Sequence, residues 1–183
     1  MKFNEFYSLT IVHSRDIILV KGVDYMNITK QKSQKTFDKQ AADYDTNIQG
    51  EHARKLYKPI IENLKNKNIH SILDLGCGTG ALLKEIKELN IAEQLFGIDI
   101  SPNMLEIAEN KLGNDATLIL GDSERLPFED SSFDAIVCND SFHHYPQPDI
   151  VEKEVSRCLK QNGVFIIGDC WQPIGARQIM NYY

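Results

Sequence analysis

The sequence predicts an α/β fold: a mostly parallel sheet with helices on both faces. From residue 69 onward, short apolar runs alternate with helical patterns in which apolar residues recur every three or four positions. The first apolar run leads directly into a glycine-rich loop at residues 76–80. Repeated strand–helix units are typical of a parallel sheet, because each connection must cross back over one face of the sheet.

Length and composition set the class of protein. The 183 residues fit one domain, and 42% hydrophobic with 25% charged residues is ordinary for a water-soluble globular protein. The net charge of −6 argues against a nucleic-acid partner, since a phosphate backbone repels an acidic surface. No apolar run approaches the ~18 residues that cross a bilayer, so no membrane partner is expected.

The cysteines indicate the compartment. No two of them have the C-x-x-C spacing typical of zinc and redox sites, so no metal is expected. Free thiols are usual inside the cell, and the sequence therefore predicts a cytoplasmic protein. The four cysteines are Cys77, Cys138, Cys158 and Cys170.

Residues 1–25 are interpreted as an N-terminal extension of uncertain structure. The runs at 8–12 and 16–20 are rich in β-prone residues, which predicts a hairpin or an added strand. The alternative is that translation begins at Met26, which opens a segment typical of a protein N-terminus. The residues do not discriminate between these two interpretations.

Residues 26–68 are predicted to form N-terminal helices. Phe37, Ala41 and Tyr44 recur at helical spacing and share one face. Pro59 lies inside a second helical pattern, so that helix is expected to bend or to begin late. The apolar side of this second helix is formed by Leu56, Ile60, Ile61 and Leu64.

Residues 69–170 are predicted to form the core of the domain. Strands are expected at Ile69–Leu75, 94–98, 116–120, 133–138 and 164–168. Helices are expected at 81–89, at a segment that Ser101 caps with Pro102 in its first position, and at 148–159. Asn162 and Gly163 tolerate a left-handed backbone, so they are expected to end the last helix. The fifth strand is apolar throughout, which predicts burial on both faces.

The loop at residues 76–80 is the first feature with chemical meaning. Glycines at alternate positions allow a tight turn and a close approach of the backbone to a ligand. The helix that follows directs free N–H groups and the positive end of its dipole toward that ligand. A carboxylate and a phosphate are both suited to such a place.

The positions of acidic residues indicate which class of ligand the loop binds. Asp74, Asp99 and Asp122 end or follow three successive strands, so they are expected to converge on one crevice at the carboxyl edge of the sheet. Asp99 suits the two hydroxyls of a ribose. A nicotinamide dinucleotide and S-adenosylmethionine (SAM) both fit this geometry. However, the loop is G-x-G-x-G, and a carboxylate two residues before it would repel a pyrophosphate but suits an ammonium and a sulfonium.

Residues 74–80 resemble motif I of class I SAM-dependent methyltransferases residue for residue. Residues 121–128 and 132–134 are similar to the signature of the methyltransferase type 11 branch, which 142–145 and 159–163 continue. The resemblance implies a Rossmann-like class I methyltransferase fold, SAM as cofactor, and transfer of its methyl group to a small-molecule acceptor.

The resemblance also implies roles for individual residues. The methionine part of SAM would be held by Asp74, Gly76, Cys77, Gly78, Gly80 and Asn139. The ribose would be bound by Asp99, and the adenine would contact Ile100, Met104, Asp122 and Ser123. For Ile100 and Met104 the alternative is simple core packing.

Two histidines, His143 and His144, follow the fourth strand and are the candidate catalytic residues. Either is suited to act as a base if the acceptor must lose a proton, and the alternative is a hydrogen-bonded loop histidine. Tyr44 and Tyr145 are candidates to line the pocket. The histidines expected to lie away from the crevice are His13, His52 and His70.

The end of the chain departs from the resemblance. The complete class I fold has seven strands in the order 3-2-1-4-5-7-6, whereas only 14 residues follow Asp169. The C-terminal strands are therefore expected to be missing, with 171–183 as a truncated tail. The exposed edge of the fifth strand would be covered by a second copy, giving a homodimer, by residues 8–20 or by another partner. A SAM-binding remnant or interaction module without turnover is the alternative function, and a nicotinamide oxidoreductase is a third.

Overall fold

The computed structural model of the chain describes residues 15–169. Within them a parallel sheet has the strand order β3-β2-β1-β4-β5. The strands are β1 (Ile69–Leu75), β2 (Ala92–Asp99), β3 (Thr117–Leu120), β4 (Phe133–Asn139) and β5 (Leu159–Gly168). The helices are α1 (Arg15–Gln40), α2 (Ile48–Arg54), α3 (Tyr57–Leu64), α4 (Ala81–Glu88), α5 (Pro102–Leu112) and α6 (Pro148–Cys158). The predicted α/β fold with a parallel sheet is confirmed.

Alternation along the central strands feeds two cores, one on each face of the sheet. Successive side chains of a strand point to opposite faces. In β1, Ile72 joins a cluster with helices α3, α4 and α5, whereas Leu73 and Leu75 join a cluster with helix α6. In β4, Val137 follows the first pattern and Ile136 the second. A continuous apolar run is therefore needed here, because both faces of these strands are covered.

The first helix replaces the predicted N-terminal strands. Residues 16–20 lie in α1 and not in a hairpin, so that prediction was wrong, while residues 8–12 lie outside the described part of the chain. β-Propensity measures how well a side chain fits a paired, half-buried surface, and a helix overrides it where no strand is available for pairing. Helix α1 passes through Met26 and ends at Gln40, and a 3-10 turn at Ala41–Asp43 follows.

The predicted second helix is divided into α2 and α3. Asn47 caps α2, because its side chain accepts a hydrogen bond from the Gly50 backbone N–H. Pro59 lies in the first turn of α3, where its lack of an N–H removes no helical hydrogen bond. Ile60, Ile61 and Leu64 are buried as predicted.

Strand β5 differs from its prediction in two ways. Helix α6 ends at Cys158, and Asn162 has a φ of +66° within β5, where the register against β4 shifts. The left-handed residue was predicted correctly, but it forms an irregularity in the strand rather than the end of the helix. Ile167 is 44% exposed, because β5 pairs only with β4 among the described strands.

Three further expectations concern the chain as a whole. Cys77, Cys138 and Cys158 are buried free thiols as expected, whereas Cys170 lies outside the described residues. No helix within residues 15–169 combines the length and the apolar character that crossing a membrane requires. Residues 1–14 and the segment 171–183 also lie outside the described residues.

Candidate functional site

A cavity lies at the carboxyl ends of the strands, and helix α1 forms part of its wall. It encloses about 730 Å³, part of which is open to solvent. Several residues predicted to hold a cofactor line this cavity. They include the loop glycines Gly76 and Gly78, Asp99 at the end of β2, and Ile100 directly after it. Further predicted residues that line it are Met104, Asp122, Ser123, Asn139 and His144. Predicted residues that are not part of its lining are Asp74, Cys77, Gly80 and His143.

The glycines of the loop at 76–80 serve different purposes. Gly76, Gly78 and Gly80 all have positive φ angles, which L-residues with a side chain adopt at a cost. A Cβ on Gly78 would meet no described atom within 4 Å, so this residue faces the cavity with bare backbone. A Cβ on Gly80 would lie 2.7 Å from Cδ1 of Leu112, so this glycine allows the loop to pack on helix α5.

Asp99 is held in the wall of the cavity by backbone hydrogen bonds. Its Oδ2 accepts a hydrogen bond from the Gly78 backbone N–H, and its Oδ1 accepts one from the Ser101 N–H, both at 2.8 Å. Burial raises the pKa of Asp99, and these backbone hydrogen bonds oppose the rise. Each oxygen retains a second lone pair. The carboxylate is therefore a rigid, oriented acceptor at the end of β2.

Asp74 does not share the cavity with Asp99 and Asp122. Its side chain is 2% exposed, and its Oδ1 has no hydrogen-bond partner among the described residues. Burial raises the pKa of Asp74 well above its ordinary range, and the nearby charge of Asp99 adds to the rise. Of the three acids that were expected to converge on one crevice, Asp99 and Asp122 line the cavity and Asp74 does not.

Lys30 is a residue of the cavity that the sequence analysis missed. Its ammonium group donates to Oδ2 of Asp122 at 2.7 Å and also to Glu124. The helical pattern of this region does not single out Lys30, yet the Lys30 side chain is only 20% exposed. No local pattern could have linked Lys30 to acids so distant in the chain. The ion pairs fix helix α1 against the loop after β3.

Helix α1 also contributes an aromatic and a capping contact. The ring of Phe37 packs edge-to-face on His144 with a centroid distance of 5.1 Å. Oδ1 of Asp38 accepts a hydrogen bond from the Ser101 hydroxyl at 2.6 Å, while that hydroxyl accepts from the Met104 N–H at 3.2 Å. Ser101 therefore caps α5, as predicted, and simultaneously ties it to α1.

A buried polar network supports the loop after β4. The Ser141 hydroxyl donates to the Leu75 carbonyl at 3.0 Å and lies 3.2 Å from the Tyr145 hydroxyl. The Tyr145 hydroxyl lies 3.3 Å from the Ser123 hydroxyl. Burial raises the pKa of Tyr145 well above its ordinary value, so the phenol stays protonated. Tyr145 and Tyr44 both line the cavity, as the sequence suggested.

The two candidate catalytic histidines have different surroundings. Burial, together with the charge of His143, lowers the pKa of His144 to about 4, so this imidazole is neutral at pH 7. Nδ1 of His143 lies 2.7 Å from Oδ1 of Asp169. Burial opposes protonation of His143, but the hydrogen bond and charge of Asp169 outweigh it, so the pKa of His143 is raised. Only His144 faces the cavity.

The remaining histidines were expected to lie away from the crevice. Nδ1 of His70 lies 2.8 Å from the Glu93 carboxylate, and both side chains are exposed at the other end of the sheet. His52 contradicts the expectation, because its Nδ1 lies 3.4 Å from Oδ2 of the cavity residue Asp140. Helix α2 is brought to this place by Asn139, whose side chain donates to the Ala53 carbonyl at 3.3 Å. His13 lies outside the described residues.

Comparison with known proteins gives concordant matches. Residues 73–167, more than half of the chain, match the family described as "Methyltransferase domain". Demethylmenaquinone methyltransferase of Thermotoga maritima is 34% identical over 148 residues, which are 79% of this chain and 64% of that protein. Sterol 4-C-methyltransferase of Caenorhabditis elegans is 35% identical over 125 residues, which are 65% of this chain and 36% of that protein. The chain thus spans less than two thirds of the length of these relatives.

A solved structure supports the fold. The YcgJ protein from Bacillus subtilis superimposes with a TM-score of 0.62 and 27% sequence identity. The superposition covers 70% of this chain and 57% of that one.

Proposed function

Because this chain belongs to the methyltransferase-domain family, whose cofactor is SAM, we propose that it transfers the methyl group of SAM to a small-molecule acceptor. The observation that carries the proposal is the Asp99 carboxylate. Two backbone N–H groups hold it in the wall of the cavity, and each of its oxygens has a lone pair left for a ribose hydroxyl. An acceptor pair of this kind suits a vicinal diol.

The rest of the cavity fits the other parts of the cofactor. Ile100 and Met104 supply an apolar wall for the adenine, next to the polar side chains of Asp122 and Ser123. Bare backbone at Gly78 suits close contact with the methionine part, whereas a Cβ on Gly76 would lie 2.6 Å from Oγ of Ser141. Oδ1 of Asn139 is a buried acceptor with no partner among the described residues, which suits an ammonium group. These residues are the proposed cofactor site.

The chain contributes alignment to the reaction. When bound, SAM supplies a methyl group on a positively charged sulfonium, which is already activated for displacement. Holding two reactants in line is worth up to ~7–11 kcal/mol of the barrier in well-oriented systems. The hydrogen bonds of Asp99 and the network around Tyr145 keep the walls of the cavity rigid, as such alignment requires.

The acceptor side is assigned to the aromatic wall that Phe37, Tyr44 and His144 form. Phe37 packs edge-to-face on His144 at 5.1 Å and on Tyr44 at 6.4 Å between ring centroids. Such a wall favours a flat or apolar acceptor, in keeping with the quinone and sterol that the names of two relatives mention. A neutral His144 would orient the acceptor by accepting a hydrogen bond, and a pKa near 4 makes it a weak base.

Two measurements test the proposal. Calorimetry of the full chain with SAM should give saturable 1:1 binding, and incubation with methyl-labelled SAM and a panel of quinols, phenols, sterols and amines should label one class of acceptor. Absence of SAM binding would overturn the proposal. Binding of SAM with no label transfer to any acceptor would favour the alternative, a SAM-binding module without turnover.

A further inference from the structure

A cluster of metal-type ligands lies beside the cavity, at the ends of two neighbouring strands. Asp140 directly follows β4, Asp169 directly follows β5, and His143 lies in the 3-10 turn after β4. One ligand atom from each of these three side chains lies within 4.8 Å of the other two. Parallel pairing of β4 with β5 therefore brings together groups that no sequence motif joins.

The cluster is held in position by its backbone. The Asp140 N–H donates to the Gly168 carbonyl at 2.6 Å, which fixes the end of β4 to the end of β5. The His143 N–H donates to Oδ2 of Asp169 at 3.0 Å, while the His143 ring lies 2.7 Å from Oδ1 of the same carboxylate. The side chains of His143 and Asp169 are 27% and 20% exposed. The ligands are therefore preorganised, and they remain accessible from solvent.

Asp140 has a buried carboxylate oxygen that accepts no hydrogen bond from the described residues. Its side chain is 11% exposed, and its Oδ1 is buried with no hydrogen-bond partner within residues 28–169. Its other oxygen, Oδ2, lies 3.4 Å from Nδ1 of His52. A buried carboxylate oxygen without a donor is costly, and a metal ion satisfies it directly. This observation is independent of the grouping of the three side chains.

We propose that Asp140, His143 and Asp169 bind one divalent transition-metal ion of the Mn²⁺ or Zn²⁺ type. Two carboxylates and one imidazole form a mixed set that suits these ions, whereas Mg²⁺ and Ca²⁺ prefer oxygen ligands alone. The ion would replace the hydrogen bond between Nδ1 of His143 and Oδ1 of Asp169. His52 is positioned to orient Asp140 from outside the ligand set.

The position of the ion gives it a function. Three protein ligands leave coordination positions open, as in metal sites that bind a substrate. Because Asp140 also lines the cavity, a bound ion would lie next to the side that we assign to the acceptor. This assignment rests on the proposed function, whereas the metal site itself does not. The acceptor class it selects is a small molecule with an oxygen that coordinates the ion.

Titration of the metal-free full chain with Mn²⁺, followed by electron paramagnetic resonance and calorimetry, tests the site. We expect one Mn²⁺ per chain, competition by Zn²⁺, and at least a tenfold loss of affinity in Asp140→Asn and in His143→Gln. The matched control is His70→Gln, which removes the histidine of the exposed His70–Glu93 pair and should leave Mn²⁺ affinity unchanged. Absence of saturable binding, or equal affinity in both site variants and wild type, would overturn the site.

Folding and cofactor binding are measured on the same samples. Circular dichroism and SAM calorimetry of each variant show whether a loss of Mn²⁺ affinity is local. If Asp140→Asn does not fold, His143→Gln and Asp169→Asn decide, because each retains a group able to form a hydrogen bond. SAM binding without Mn²⁺ binding overturns the metal site and leaves the proposed function standing. Mn²⁺ binding without SAM binding supports the metal site and overturns the proposed function.

Discussion

Gly78 and Asp99 are joined by a hydrogen bond in which the glycine N–H donates to Oδ2 of the carboxylate at 2.8 Å. The bond connects the loop after β1 with the end of β2, so the bare backbone and the acid that face the cavity form one unit. Because the Ser101 N–H holds the other oxygen, the carboxylate cannot turn away from the cavity without losing both bonds.

Asp99→Asn should weaken SAM binding at least tenfold. The amide nitrogen of asparagine is a donor, so one of the two backbone N–H groups would face another donor instead of an oxygen. Hydrogen bonds to a charged group are worth ~1.5–3 kcal/mol each, and ~1.4 kcal/mol is a factor of ten in affinity. Calorimetry checks this, with Glu106→Gln on the exposed surface of α5 as the control. Equal SAM affinity in Asp99→Asn and wild type would contradict the ribose assignment.

Gly78→Ala should separate ligand contact from backbone strain. Gly78 and Gly113 have φ angles of +51° and +53°, and at both of them a Cβ would meet no described atom within 4 Å. Each alanine variant should therefore lose ~1–3 kcal/mol in urea denaturation from the strain of a positive φ alone, and Gly113, with a ψ of −124°, has a backbone conformation that glycine favours. Only Gly78 lines the cavity, so only Gly78→Ala should lose SAM affinity. If both variants bound SAM as wild type does, the loop would not contact the cofactor.

Lys30→Met should loosen helix α1. The substitution keeps most of the aliphatic stem but leaves Asp122 and Glu124 without their shared cation. We expect a loss of ~1–3 kcal/mol in unfolding free energy, the usual cost of removing one partner of a partly buried charged hydrogen bond. Amide exchange in the α1 residues that contact the cavity should become faster. Lys35→Met, at an exposed position of the same helix, serves as the comparison and should change neither measurement.

Asp134→Asn should destabilise the protein in a pH-dependent manner. Burial opposes ionisation of Asp134, but hydrogen bonds from the Ser71 N–H and from Lys160 outweigh it, so the pKa of Asp134 lies below its ordinary value. A lowered pKa in the folded state stabilises the fold above the unfolded pKa of ~3.9, and this contribution is lost as the pH falls through the folded pKa. Urea denaturation should therefore show a larger difference from wild type at pH 7 than at pH 3. Glu152→Gln, an exposed change on α6, should show no such difference at either pH.

Elements with strong local signals were predicted well. Ile69–Leu75 and the capped start of α5 at Pro102 agree with the structure, because a strand run and a cap are encoded by residues adjacent in the chain. Elements that depend on partners were predicted poorly. Residues 16–20 are helical despite their β-prone side chains, and Asn162 lies within β5 rather than at the end of α6.

The residues of the candidate site show the same difference between local sequence signals and contacts with distant parts of the chain. Asp99 and Asp122 were found from the sequence because they stand at strand ends, and parallel strands bring their carboxyl ends to one edge, whereas Asn139 was implied by the family resemblance. Lys30 and Asp140 were missed. Lys30 lies in a helix near the start of the chain, and no motif links it to Asp122. Asp140 directly follows Asn139, the residue to which the resemblance had already given a role at this strand end.

The order of strands and helices, the glycine loop with its acid at Asp99, and the family to which the chain belongs could all be read from the amino-acid sequence. These features depend on periodicity, capping and short motifs, which act between residues close in the chain. Three relationships became visible in the folded chain alone: Asp74 is buried, Lys30 joins the cavity, and Asp140, His143 and Asp169 form a cluster. Such relationships depend on which strands lie side by side and which helix covers them, and packing over the whole domain sets both.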